Sequence, residues 1–280
     1  MMRTMYRTKQ EYAQAFLRIV DATDTCGEMR PEHFKKVMKE NQGGINAFSP
    51  YGIPDDGLER RNPLIVALGD SVTAGHFEPC GNLDEIFAVI NAGGIPDISN
   101  GEVTDARECY LEKFRSLLID HFEQTSVSTI NAGIAGDTMY GMEKRVYRDV
   151  VRHQPDLVIV NGSLNWGIEC GNSADYEAAL RRTLAVILNE TKADVILMTP
   201  NMEKMPDTLK NPKSPLIERV EIIRNLAAEK KCCLADAYLA WEKFEEEGYP
   251  AVELLANRGN HPSITGHEGF AKILMKLIVS

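Results

Sequence analysis

Several features that would assign a sequence to a particular class are missing from this chain. No apolar run approaches the roughly 18 residues that a membrane span needs. The amino-terminal residues include basic ones but no apolar stretch behind them, so we expect no signal peptide. The six cysteines are scattered and form no CxxC pair, which favours a reduced, cytoplasmic protein. No HExxH motif or carboxylate cluster indicates a metal site, and we expect neither a metal nor another cofactor.

Basic residues are also fewer than acidic ones. The chain has 31 Lys and Arg against 41 Asp and Glu, which gives a net charge of −10. This balance argues against nucleic acid or an anionic membrane as the main partner. The 44% hydrophobic and 26% charged residues are ordinary for a soluble globular protein. A chain of 280 residues can bury a large core without disulfides or metals.

The pattern of residues changes near residue 62. Before it, residues 9–24 carry apolar side chains at helical spacing, and Pro31 opens a second helix over residues 31–40. A Gly- and Pro-rich loop then runs from Gly43 to Gly57. We predict a mostly helical amino-terminal extension over residues 1–62 and an α/β domain over residues 63–280. Packing of the extension on the main domain is favoured, with a lid or a subunit contact as alternatives.

From residue 63 onward, strand and helix patterns alternate. The predicted strands are residues 64–68, 126–131, 157–161, 195–199 and 232–235. The predicted helices are residues 106–121, 139–153, 173–190, 216–230 and 266–278. This alternation predicts right-handed crossovers and a parallel sheet covered on both faces, in a three-layer α/β/α, flavodoxin-like doubly wound fold. Thr265 and Glu268 match a capping box for the last helix, and residues 76–105 read as a long insertion near the mouth of a site.

The most informative stretch is Leu-Ile-Val-Ala-Leu-Gly-Asp-Ser over residues 64–71. The apolar run is typical of a strand buried on both faces, and it ends abruptly at Gly69. Ser71 follows where open α/β sheets place their ligands, which makes it a candidate nucleophile. Thr73, and not glycine, stands two residues later, which argues against the Gly-x-Ser-x-Gly nucleophile elbow.

Three further segments carry residue types that acyl transfer requires. Gly136 lies in the loop after the second predicted strand, Asn165 in the loop after the third, and His261 shortly before the last helix. A serine needs a base such as histidine, and the oxyanion needs preorganised N–H donors. Structural alternatives stay open for each: Ser71 as a helix cap, Gly136 and Asn165 as turn residues, and His261 as a buried structural histidine.

These four segments, in this order, resemble the conserved blocks of the SGNH hydrolase superfamily, the GDSL-type esterases and lipases. Gly-Asp-Ser ending at Ser71 resembles the first block, although Val72 stands where the GDSL name has leucine. The resemblance implies a serine esterase with Ser71 as nucleophile and His261 as base. It further implies an oxyanion hole built from the backbone N–H groups of Ser71 and Gly136 and the side-chain amide of Asn165.

Two positions depart from the family pattern. The usual carboxylate three residues before the histidine is replaced by Arg258, and Trp166 stands where an aspartate is common. His261 is therefore oriented either by Asn257, Asn260 or a backbone carbonyl in a Ser–His dyad, or by an acid from elsewhere in the chain.

The substrate prediction is less direct. The lack of an obvious lipid-binding amphipathic face, together with Trp166 near the site, favours a small-molecule or carbohydrate ester with a small acyl group such as acetyl. The Asn-His-Pro run at His261 resembles a carbohydrate-esterase branch. Alternatives are a flavodoxin-like domain that binds a phosphate or cofactor through Ser71, Thr73 and Gly75, or a catalytically degenerate binding module. Homo-oligomer formation is left open.

Overall fold

A computed structural model describes residues 7–41, 62–97, 101–123 and 126–280 of the chain. The strands in the described residues are β1 (Leu64–Gly69), β2 (His76–Pro79), β3 (Glu102–Thr104), β4 (Ser128–Gly133), β5 (Leu157–Asn161), β6 (Asp194–Met198) and β7 (Cys233–Ala235). The helices are α1 (Lys9–Ala22), α2 (Glu32–Glu40), α3 (Ser71–Ala74), α4 (Leu83–Asn91), α5 (Tyr110–His121), α6 (Met139–Asp149), α7 (Ser173–Glu190), α8 (Leu216–Lys230), α9 (Ala237–Glu246) and α10 (Ile264–Val279).

The central sheet has five parallel strands in the order β4-β1-β5-β6-β7. Counted within the sheet, this is the 2-1-3-4-5 order of doubly wound flavodoxin-like folds, as predicted. The chain crosses from one side of β1 to the other between β4 and β5, so the carboxyl ends of β1 and β5 flank the topological switch point. Ligands of such sheets bind at that point. Every residue of β5 is buried, as expected for an interior strand covered on both faces.

Alternate residues of the interior strands enter two separate apolar clusters. Ile65 and Ala67 of β1 belong to the cluster built with α1, α2, α5, α9 and α10. Val66 and Leu68 belong to the cluster built with α6, α7 and α8. Successive side chains of a strand point to opposite faces, so these clusters are the two layers on either side of the sheet.

The amino-terminal helices share the first of these clusters. Phe16 of α1 packs against Trp241 and Phe244 of α9, with ring centroids 5.3 and 5.6 Å apart. In α2, the Phe34 N–H donates to the carboxylate of Asp194 at the start of β6, at 2.9 Å. Helices α1 and α2 are thus packed on the same core as the sheet. The predicted loop from Gly43 to Gly57 lies outside the described residues.

Three details refine or correct the sequence predictions. The predicted insertion over residues 76–105 contains, in its described part, the antiparallel pair β2–β3 and helix α4. Helix α9 was not predicted. The last helix begins at Ile264, and the N-cap is Ser263, whose hydroxyl accepts the Gly266 N–H at 3.4 Å. The predicted cap at Thr265 is wrong because that residue already lies in the first helical turn.

Candidate active site

Ser71 lies at the carboxyl end of β1, where the chain turns sharply into the one-turn helix α3. The turn requires glycine at position 69, because a Cβ there would come within 2.7 Å of the Asn161 carbonyl and 2.0 Å of the Thr73 hydroxyl. Asp70 caps α3, since its carboxylate accepts the Val72 N–H at 3.0 Å. The capping alternative for Ser71 is therefore wrong, and its hydroxyl is available for another contact.

That contact is with a histidine from the far end of the sequence. The Oγ of Ser71 lies 3.0 Å from Nε2 of His261, and both residues are buried. His261 stands in the loop that precedes α10. The structure thus brings together the predicted nucleophile and base at hydrogen-bonding distance, the geometry in which histidine can take a hydroxyl proton.

The loop before His261 is shaped by Asn257. Its side-chain oxygen accepts the backbone N–H groups of Gly259, Asn260 and His261 at 3.0, 2.9 and 2.9 Å. The Arg258 guanidinium instead contacts the exposed carboxylate of Asp84 at 3.4 Å. Asn257 therefore holds the loop backbone, and the position that carries an acid in the family is turned to the surface.

The other ring nitrogen of His261 has two oxygen neighbours. Nδ1 lies 2.9 Å from the carbonyl oxygen of Phe77 in β2 and 3.5 Å from a carboxylate oxygen of Glu102 in β3. A proton on Nδ1 donates to the Phe77 carbonyl, which leaves Nε2 as an acceptor towards Ser71. Burial lowers the pKa of His261, while the charge of Glu102 and the bond to Phe77 oppose that shift.

The second histidine of this region, His267, has a different setting. It is fully buried in α10, where its Nδ1 accepts the Tyr110 N–H at 3.1 Å. Burial lowers the pKa of His267 to about 3, so the ring is neutral. Its ring packs against Phe77, with centroids 5.1 Å apart. His267 is therefore a buried residue that packs behind His261 through Phe77.

The loops that carry Gly136 and Asn165 meet at the same edge of the sheet. Gly136 adopts a left-handed backbone with φ of +72°, and a Cβ there would have open space. Within the described residues, no oxygen accepts the N–H of Gly136 or of Ser71. The Asn165 amide donates to the Asp137 carbonyl at 3.3 Å, which leaves its second N–H for another acceptor. All three predicted oxyanion donors thus have an N–H to offer.

An arginine that the sequence analysis missed joins these loops. The buried Arg145 of α6 donates to the carbonyls of Gly69 and Ala132 at 2.7 Å each. It also pairs with the carboxylates of Asp137 and Asp149 at 2.7 and 2.9 Å. It therefore links the ends of β1 and β4 to the loop that contains Gly136. The sequence does place this arginine next to the apolar face of a predicted helix, a position that indicates a buried charge with partners elsewhere in the chain.

Trp166 does not line an open surface. It is buried between Tyr140 and Tyr176, with ring centroids 4.8 and 5.3 Å away, and its N–H donates to the Asn172 carbonyl at 3.3 Å. Although it follows Asn165 directly, the Trp166 ring offers almost no exposed surface to a substrate. The aromatic ring is part of the core under α6 and α7.

In residues 7–41, 62–97, 101–123 and 126–280, no group of three or more His, Cys, Asp or Glu side chains could hold a metal ion. No helix in those ranges is long and apolar enough to cross a membrane.

Comparison with known proteins gives the family of this chain. Residues 67–268 match the model of the GDSL-like lipase/acylhydrolase family. An acetylxylan esterase from Geobacillus stearothermophilus is 24% identical over 229 residues, which cover 76% of this chain and 93% of that protein.

Solved structures show the same fold. One structure of an acetylxylan esterase from Geobacillus stearothermophilus superposes with a TM-score of 0.56 at 21% identity, covering 78% of this chain and 94% of that one. A candidate GDSL-like lipase from Parabacteroides merdae superposes with a TM-score of 0.60 at 18% identity, covering 78% of this chain and 96% of that one.

The family model spans well over half of the chain and includes Ser71, Gly136, Asn165 and His261. The resemblance to the SGNH hydrolases is confirmed. The chain belongs to the GDSL-like lipase/acylhydrolase family and is a hydrolase that acts on ester bonds.

Proposed function

We propose that this protein is a serine esterase that removes a small acyl group, most simply acetyl, from a carbohydrate ester. The observation that carries the proposal is the 3.0 Å contact between Ser71 Oγ and His261 Nε2, with Nδ1 of the same ring held by a backbone carbonyl. A serine becomes a useful nucleophile when such a base removes its proton.

The reaction follows two acyl-transfer steps. The Ser71 oxygen attacks the ester carbonyl carbon while its proton moves to Nε2 of His261. The tetrahedral intermediate collapses to an acyl-enzyme, and the imidazolium gives that proton to the leaving alcohol. Water then attacks the acyl group with His261 again as base, which releases the acid and restores Ser71.

The negative oxygen of each intermediate needs donors that are already in place. The N–H groups of Ser71 and Gly136 and the side-chain amide of Asn165 supply three such donors. Arg145 pairs with Asp137, which follows Gly136 and accepts a hydrogen bond from the Asn165 amide, and so holds the Gly136 loop in place. Preorganised donors of this kind act without reorganisation during the reaction, which is why they lower the barrier strongly.

The substrate class rests on similarity and on the sequence. The relative that matches along most of this chain is an acetylxylan esterase. The Asn-His-Pro run at His261, which resembles a carbohydrate-esterase branch of the family, supports the same substrate class. Because Trp166 is part of the core, it no longer supports a sugar substrate.

Chain-length preference tests the acyl group. We expect p-nitrophenyl acetate to be hydrolysed with a higher kcat/KM than p-nitrophenyl octanoate, and acetate to be released from acetylated xylooligosaccharides. A preference for octanoate together with no acetate release would contradict the proposed substrate class.

A fluorophosphonate probe tests the nucleophile. Wild type and Ser116→Ala, which removes an exposed serine on α5, should both be labelled and active. Ser71→Ala should be neither, because the probe reacts with an activated serine. Equal labelling of Ser71→Ala would overturn the assignment.

Two observations weigh against the alternatives. The Thr73 hydroxyl is buried and bonded to the Tyr110 hydroxyl at 2.9 Å, so it cannot bind a phosphate in the way that the flavodoxin-like alternative requires. The degenerate-module alternative rested on the missing acid before His261, yet the contact between Ser71 and His261 is intact.

A further inference from the structure

The side of His261 that faces away from Ser71 has no acid from its own loop. The family position for that acid is Arg258, whose side chain is more than half exposed and contacts Asp84. An imidazole that accepts a proton during catalysis becomes a buried cation for part of the cycle. A nearby negative charge stabilises that cation, and an orienting group keeps the ring in one tautomer.

A carboxylate from a different part of the chain lies next to Nδ1. One oxygen of Glu102 is 3.5 Å from Nδ1 of His261, and the other is 2.9 Å from Nδ1 of His76. The carboxylate therefore lies between two histidine rings whose centroids are 6.0 Å apart. Its side chain is 30% exposed, so the charge is partly shielded from water.

The backbone around Glu102 keeps the carboxylate in this position. Pro79 of β2 lies opposite Glu102 of β3, and the Cys80 N–H donates to the Gly101 carbonyl at 3.0 Å. At the other end of the pair, the Asp105 N–H donates to the Gly75 carbonyl at 2.8 Å. The two ends of the β2–β3 pair are thus tied, one of them directly to the turn after α3.

Gly75 makes this junction feasible. It has a φ of +85°, and a Cβ there would lie 2.8 Å from the Asp105 carbonyl. The inserted β2–β3 pair therefore approaches the helix that begins with Ser71 closely, and it brings both the Phe77 carbonyl and the Glu102 carboxylate to His261.

We propose that Glu102, supplied by the inserted β2–β3 pair, is the carboxylate partner of His261 and replaces the acid that the family carries where Arg258 stands here. This proposal rests on the proposed function, in which His261 is the base for Ser71. Glu102 is a positioning residue: it acts through the imidazole and touches neither the ester nor Ser71.

The two Nδ1 neighbours have different tasks. The Phe77 carbonyl takes the hydrogen bond at 2.9 Å and fixes the tautomer, while Glu102 provides the charge that favours the imidazolium. Because the tautomer survives without Glu102, its loss should cost far less than the roughly 10⁴-fold seen when a triad aspartate is replaced by its amide.

The pH dependence follows from the groups around His261. These groups are Ser71 of α3, His76 of β2, Glu102 of β3 and His267 of α10. The charge of Glu102 raises the pKa of His261, and that of His76 lowers it. Without the carboxylate, His261 should lose its proton at lower pH, so the acidic limb of kcat/KM should move to lower pH.

Glu102→Gln tests the proposal, with Glu78→Gln as matched control because it removes an exposed carboxylate from the same strand pair. With p-nitrophenyl acetate we expect Glu102→Gln to lower kcat by about 10- to 100-fold with KM little changed. The acidic limb of its kcat/KM profile should move to lower pH. Glu102→Asp keeps the charge and should retain more activity than Glu102→Gln, with the limb close to wild type. Glu78→Gln should match wild type in kcat and in the pH of the acidic limb.

Circular dichroism and melting temperature show whether each variant is folded. A folded Glu102→Gln enzyme with wild-type kcat and an unmoved acidic limb would overturn the role of Glu102. Equal losses in Glu102→Gln and Glu102→Asp, without a shift of the limb, would also overturn it and would indicate a purely structural residue. Ser71→Ala separates this proposal from the proposed function, since activity in that variant would refute the mechanism itself.

Discussion

Asp70 gives a stability prediction that depends on pH in a calculable way. Its side chain is fully buried directly before Ser71, and burial raises its pKa to about 7 from an ordinary value of 3.8. One carboxylate oxygen accepts the Val72 N–H, and the other has no partner within the described residues. Folding therefore favours the protonated acid.

The direction of the pH dependence follows from the difference between the pKa of Asp70 in the folded and unfolded states. The pKa is higher in the folded state than in the unfolded one, so the contribution to stability is full below pH 4 and is lost as the pH rises to 7. At about 1.4 kcal/mol for each pKa unit, the raised pKa of Asp70 lowers the free energy of unfolding by about 1.7 kcal/mol at pH 5 and by about 4.3 kcal/mol at pH 8, relative to its value well below pH 4. Above pH 8 the cost no longer grows.

Asp70→Asn removes this dependence. Asparagine keeps an oxygen for the Val72 N–H but adds a buried amide donor, which costs about 1–3 kcal/mol at every pH if unpaired. That constant cost cancels when two pH values are compared. We expect the unfolding free energy of the variant, relative to wild type, to rise by about 2.6 kcal/mol between pH 5 and pH 8.

Urea unfolding of both proteins at pH 5, 6, 7 and 8 measures this difference. Asp120→Asn, which removes an exposed carboxylate on α5, controls for the loss of one negative charge. A difference between Asp70→Asn and wild type that stays constant from pH 5 to pH 8 would refute the reasoning, because it would mean that Asp70 is ionised in the folded protein at all of these pH values.

Two further predictions concern the loops at the site. Arg145→Ala should lower the unfolding free energy in urea by about 3–5 kcal/mol, because it leaves Asp137 as an unpaired carboxylate with little exposure. The unfolding free energy of Arg145→Lys should lie between those of wild type and Arg145→Ala, since an ammonium cannot reach all four acceptors. A loss under 1 kcal/mol in Arg145→Ala would contradict the proposal that Arg145 holds these loops together. Asn165→Ala should lower kcat with p-nitrophenyl acetate by about 10²- to 10³-fold with a native melting temperature. A rate within threefold of wild type would remove Asn165 from the oxyanion hole.

Local sequence determined the sheet and the order of its site loops. The apolar run over the first four residues of β5 and the abrupt end of β1 at Gly69 are local signals, because a strand covered on both faces needs continuous apolar residues. Once strands and helices alternate, handedness and the shared strand edge follow from general rules. The loops that carry Ser71, Gly136 and Asn165 are therefore predicted to lie at one edge from the sequence alone.

Contacts between segments far apart in the chain could not be predicted from local sequence patterns. No pattern near His261 points to Glu102 or to the Phe77 carbonyl, because both belong to an inserted strand pair whose placement depends on packing against α3. A backbone carbonyl leaves no trace in a residue pattern at all. The sequence alone determined which residues could carry out the chemistry and that the usual acid was missing; only the tertiary structure decided what takes its place, because a hydrogen bond depends on distances that chain order does not specify.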